Sequence, residues 1–192
     1  MLRFKKKILL GSNSPRRKEL LGYLGIPFEV ETVPVEETYA GVPSDMVSAY
    51  LAEKKALAFE SPGDEILVLC ADTVVMVKDK ILGKPSDRQE AVEMLKMLSG
   101  VTHRVFTSVC LRDGNYLQTK TDVAEVTFRR LLEKEIQYYV DTYEPYDKAG
   151  AYGIQEWIGM AGIERIEGSF YTIMGLPTHL VYQMLRPYFS NE

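Results

Sequence analysis

Histidine and cysteine are scarce in this chain, two of each among 192 residues, and tryptophan occurs once. His103 and His179 lie far apart, and neither has a Cys or His at zinc-ligand spacing, which excludes a structural zinc module. A Ser-His-Asp hydrolase would draw its base from the same two histidines, and no G-x-S-x-G turn accompanies either. The phosphate-binding glycine loops G-x-x-x-x-G-K-S/T and G-x-G-x-x-G are also missing. Chemistry in this chain therefore rests on carboxylates and cations. Cys70 and Cys110 each fall inside an apolar, strand-like stretch and read as buried free thiols rather than a disulfide framework.

Long apolar runs are missing too. No stretch approaches the roughly 20 residues of a membrane span, and Lys5-Lys6-Lys7 has only Ile8, Leu9 and Leu10 behind it, too few for a signal sequence. No Ser/Gly/Pro linker, internal repeat or low-complexity segment divides the chain. The expectation is a cytoplasmic protein with residues 1–192 in a single domain, long enough to bury roughly 70% of its unfolded surface. Lys and Arg number 23 against 27 Asp and Glu, a net charge of −4. That balance excludes a nucleic-acid surface, which carries a cationic excess, but leaves room for a local basic site.

The pattern of elements is interleaved. Lys7 to Leu10 reads as a short strand. Gly11 to Pro15 reads as a tight loop feeding a helix, with Ser14 as N-cap and Pro15 at the first helical position. Residues 66–77 form a long apolar run rich in Val and Ile, a strand buried on both faces, with a short return strand before Gly83-Lys84-Pro85. Helical spacing marks 86–98 and 132–143, and Asp113-Gly114-Asn115 joins two strands as a hairpin. Residues 164–174 read as a further strand, and Pro177 opens a last helix. Helices mixed with a hairpin predict an α/β fold whose twisted sheet is mixed rather than purely parallel.

Three stretches are anomalous. Arg16-Arg17-Lys18 puts three cations in the first turn of a helix, where the macrodipole is already positive. An anion such as phosphate bound at that helix start would account for them, and so would a solvated face. Asp72 interrupts an apolar strand; it is either a catalytic carboxylate at a cleft or a structural cap. Asp147 to Gln155 combines small residues, two glycines, two charges and an amide, as a ligand wall or as a structural loop. Lys54 and Lys55 on a helix, Lys84 in a Gly-Lys-Pro turn, and Glu36-Glu37 after an extended segment are each ordinary surface charges unless they converge.

Ser12-x-Ser14-Pro15-Arg16-Arg17-x-Glu19-Leu20-Leu21, Glu53-Lys54, Ala71-Asp72-Thr73-Val74-Val75, Gly83-Lys84-Pro85 and Asp147-Lys148-Ala149-Gly150-Ala151-Tyr152-Gly153-Ile154-Gln155 together resemble the Maf family of nucleoside triphosphate pyrophosphatases. Gly168-Ser169-Phe170-Tyr171 through Gly175-Leu176-Pro177 is similar to the family's ending, although Ser108 and Phe170-Tyr171-Thr172 depart from its commoner residues. The resemblance implies a fold like that of the inosine-triphosphate pyrophosphatases, two lobes around a cleft, in a homodimer. It implies hydrolysis of a nucleoside triphosphate to the monophosphate and pyrophosphate with Mg²⁺ or Mn²⁺.

Under that resemblance Asp72 matches the proton acceptor and Ser14, Arg17, Lys54 and Lys84 match triphosphate contacts. Glu37, preferred to Glu36 by an ungapped count, matches an acid that helps hold the metal or water, with Asp72 as the second metal candidate. Arg16, Thr73 and Gln155 match the branch acting on dTTP and UTP, where the branch acting on 7-methyl-GTP carries an aromatic residue, Ser and Glu. A Gln amide both accepts from uracil N3–H and donates to a ring carbonyl, whereas a carboxylate suits guanine. The competing expectations are the same reaction on a modified purine nucleotide, or a non-catalytic nucleotide-binding regulator of cell division.

Overall fold

A computed structural model describes residues 3–60 and 62–190. Strand β1 (Lys7–Leu10) runs into the loop Gly11 to Ser14 and helix α1 (Pro15–Tyr23), where Ser14 caps the helix and Pro15 takes its first position. A two-residue strand β2 (Glu29–Val30) and helix α2 (Val47–Leu57) lead to the long strand β3 (Ile66–Val77). β3 returns through Lys78 and Asp79, both in the left-handed region, into β4 (Lys80–Leu82). Helix α3 (Arg88–Leu98), hairpin strands β5 (Thr102–Asp113) and β6 (Tyr116–Phe128) and helix α4 (Glu133–Tyr143) follow. The chain closes with α5 (Trp157–Gly162), β7 (Ile163–Glu167), α6 (Phe170–Met174) and α7 (Thr178–Leu185).

The seven strands form one mixed sheet in the order β2-β1-β3-β5-β6-β7, with β4 beside β3. β1 pairs parallel to both β2 and β3, while β3 with β4 and β6 with β7 are antiparallel. An α/β fold with a mixed sheet is what the interleaved pattern predicts. One stretch differs. Residues 164–174 read as one strand, but β7 stops at Glu167 and a helical turn follows. Gly168 makes the break: its φ is +109°, and a Cβ there would lie 3.0 Å from Ala124 Cα and from Val123 O.

Two compact units build on this sheet. The first comprises residues up to Asp72, Thr107–Asp122 and the chain from Gly175 on. Its core includes Leu9, Ala52, Ala56, Phe59, Val68, Cys70 and Cys110, so both cysteines are buried free thiols as expected. The second comprises Thr73–Phe106 and Val123–Met174. There α3 packs on α4, with Leu95, Leu98, Ile136 and Tyr139 buried and a bidentate Arg88–Asp141 pair tying the helices. The chain passes from the first unit to the second inside β3, between Asp72 and Thr73. Among the described residues no helix is long and apolar enough to cross a membrane.

Candidate active site

The first unit assembles its chemistry around the turn from β1 into α1. Ser12 is buried, and its Oγ accepts from Ser14 N–H at 3.2 Å and from Arg17 Nη1 at 3.4 Å. Ser14 Oγ faces the Arg17 N–H at 3.5 Å. Arg17 is fixed at its other edge, where Nε donates to the carbonyl of Gly175 at 2.8 Å. Arg16 and Arg17 thus occupy the first turn of α1 with no acid beside them in that turn. Backbone dipole and guanidinium groups there favour a polyanion.

Asp72 is 7% exposed near the middle of β3. Lys55 reaches it from α2, Nζ to Oδ1 at 2.5 Å, and the same ammonium lies 2.7 Å from Glu37 Oε1. Burial raises the Asp72 carboxyl above the usual carboxylate range, and Glu37 adds to the rise, while Lys55 and Arg17 pull the other way. A carboxyl pushed up by burial is a stronger base than a solvated one, and the two cations beside it favour its ionised form.

Lys55 is the cation that meets Asp72 and Glu37, and sequence reasoning passed over it. The resemblance points to Lys54, but Lys54 Nζ donates to Thr38 Oγ1 at 3.2 Å and lies 5.8 Å over the Tyr50 ring, one helical turn back. The reason is helical phase. Ser48, Leu51, Ala52 and Ala56 form the buried stripe of α2, and Lys55 lies three residues after Ala52 and four after Leu51. A cation on an apolar stripe was the available signal.

Glu37 and Asp72, the carboxylates expected to hold a metal, both meet the Lys55 ammonium. Among the described residues no group of three or more His, Cys, Asp or Glu is arranged to cage a metal. Two carboxylates suit Mg²⁺ held partly by water and by substrate phosphate oxygens, so the donor set fits a cation that arrives with a triphosphate.

On the second unit, Lys84 is exposed in the turn after β4, and the preceding carbonyl, Gly83 O, accepts from Gly150 N–H at 3.0 Å. Thr73 is half-buried at the unit's first position, and Gln155 is exposed at the end of the 147–155 loop. That loop is tightly built. Gly150 has φ +69°, and a Cβ there would lie 3.1 Å from Val75. Lys148, 8% exposed, pairs with Asp147 and with Glu156, and Tyr139 Oη bonds to Glu156 and accepts from Gly153 N–H.

A family model described as Maf-like protein matches residues 7–188. The chain belongs to the Maf family. Curated Maf relatives match it over nearly their whole length. A dTTP/UTP pyrophosphatase of Porphyromonas gingivalis is 52% identical over 189 residues, 96% of this chain and 95% of the relative. One of Bacteroides thetaiotaomicron is 50% identical over 190 residues, 95% and 96% of the two chains, and one of Flavobacterium johnsoniae is 44% identical over 187, 94% of each.

Proposed function

We propose that this Maf protein hydrolyses dTTP and UTP, and modified pyrimidine triphosphates, to the nucleoside monophosphate and pyrophosphate. The observation that carries the reading is the Asp72 carboxylate, buried and ion-paired to Lys55, in the unit that also presents Arg16 and Arg17 at a helix start. Relatives about half identical over the full chain are named for this activity.

In this mechanism the N-terminus of α1, Ser14, Arg16 and Arg17 hold phosphate oxygens, and Lys84 adds a further cation. Asp72 takes a proton from a water as its oxygen bonds to the α-phosphorus, and the bond to the oxygen bridging to the β-phosphorus breaks, releasing pyrophosphate. Lys55 holds Asp72 ionised until that transfer. A divalent cation, when bound with the nucleotide, neutralises phosphate charge; Glu37 and Asp72 are the residues that would hold it. Thr73 and Gln155 contribute base recognition alongside Arg16. The reading carries with it a cytoplasmic enzyme acting as a homodimer, a location suited to nucleotide substrates and an assembly carried by the family resemblance.

Pyrophosphate release measured across standard and modified triphosphates tests the reading. Turnover of dTTP and UTP ahead of 7-methyl-GTP is expected, and Asp72→Asn should lower it by about 10²–10⁴-fold with the fold intact. Preference for 7-methyl-GTP would assign a purine substrate, and binding without pyrophosphate release would make the protein a nucleotide-binding regulator.

A further inference from the structure

β5 carries a histidine that the proposed reaction does not use. His103 is 2% exposed in the second unit, its Nε2 2.8 Å from Tyr152 Oη. The imidazole stacks on Phe128 with ring centres 5.7 Å apart, and Tyr152 meets His103 and Phe128 edge-on at 5.4 and 5.2 Å. His103 Nδ1 is buried with no hydrogen-bond partner. An orphaned buried polar atom destabilises the fold. An aliphatic side chain would fill this apolar space without that cost, so the imidazole is explained by what Nε2 does for the Tyr152 hydroxyl. Burial lowers its pKa to about 4, which keeps the ring neutral in that role.

Tyr152 is the residue before Gly153-Ile154-Gln155. A Cβ on Gly153 would lie 3.0 Å from Gln155 Nε2 and 2.8 Å from the Glu156 carboxyl carbon, so the Gln155 amide folds back over the bare glycine. The Gly153 N–H is itself fixed, donating to Tyr139 Oη at 2.9 Å. A carboxamide turned by 180° exchanges donor for acceptor. Turned one way it pairs with the N3–H and carbonyl of uracil or thymine; turned the other way it pairs with the N3 and amino group of cytosine. A Gln that reads pyrimidines therefore discriminates only if its backbone and its carboxamide are held.

We propose that His103 is a positioning residue for base recognition, holding the Tyr152–Glu156 turn through the Tyr152 hydroxyl so that Gln155 presents one face of its carboxamide. It touches no substrate. The inference rests on the reading of Gln155 as the residue that recognises the base.

The test compares dTTP with dCTP on the wild-type protein and on His103→Leu, His103→Gln and Tyr152→Phe. His103→Leu and Tyr152→Phe should each raise KM for dTTP about tenfold with kcat within about twofold, and narrow the preference for dTTP over dCTP. His103→Gln, whose Nε2 occupies a similar place, should recover most of both. Hydrogen exchange at amides 153–156 should quicken in Tyr152→Phe, a substitution that keeps the ring packing. Variants that lose kcat/KM equally on both nucleotides, or keep wild-type preference and exchange, overturn the proposal alone. A wild-type protein that turns over dTTP and dCTP alike overturns the reading of Gln155 and the proposal with it.

Discussion

Lys55 and Asp72 meet at 2.5 Å, one from helix α2 and one from strand β3, and Glu37 shares the same ammonium at 2.7 Å. The lysine thus neutralises a buried carboxylate and a more exposed one together. Without it, burial and Glu37 would both drive the Asp72 carboxyl toward its protonated form. Lys55→Met should therefore lower kcat/KM by at least about 100-fold. Lys54→Met, which loses a surface contact to Thr38 and Tyr50, should change it within about fivefold. Steady-state kinetics on both variants decide it, and equal losses would remove the special place given to Lys55.

Acid should weaken the second unit through His103. Its folded pKa is lowered by burial from 6.5 to about 4, so the unfolded chain binds a proton in a range where the folded chain does not. The stabilisation is complete above about pH 6.5 and is lost as pH falls toward 4, a change on the order of 3 kcal/mol. Urea midpoints at pH 7.5 and 4.5 measure it. Carboxylates shift both proteins alike, so His103→Leu should lose less stability on acidification than the wild type does. An identical acid loss in the two would show that His103 titrates normally.

Gly11 joins β1 to the loop before α1 where a side chain does not fit. A Cβ there would run into Cys70 Sγ and stand 3.0 Å from the Phe59 ring. Gly11→Ala should destabilise the fold by about 1–3 kcal/mol through overpacking. Cys70→Ala removes the nearer obstacle, so Gly11→Ala should cost less in a Cys70→Ala background than alone. Thermal unfolding of the four proteins of this cycle gives the coupling, and additive losses would point to a different source of strain.

Much of this architecture is legible in the order of the residues. β1, β3 and the start of α1 follow from short-range rules: apolar runs of strand length, then a Ser cap and a Pro at the first helical position. Asp72 stands out for the same reason, a charge where the pattern demands none. What resists reading is phase and distance. Lys54 and Lys55 are neighbours in sequence and differ by about 100° around α2, enough to send one to Tyr50 and the other to Asp72. β7 and α6 lie within one stretch that reads as a single strand, and the backbone turn at Gly168 separates them. The division into two units, with the chain crossing inside β3 and returning twice, is a property of long-range packing and leaves no local mark.

The hydrogen bond from Arg17 to Gly175 spans 158 positions of sequence. Translation completes the Ser-x-Ser-Pro-Arg-Arg loop well before the carbonyl that fixes the Arg17 guanidinium. Until Gly175 is made, the contact that fixes the Nε edge of Arg17 cannot form. The geometry of that loop is complete only once the chain from Gly175 on joins the first unit.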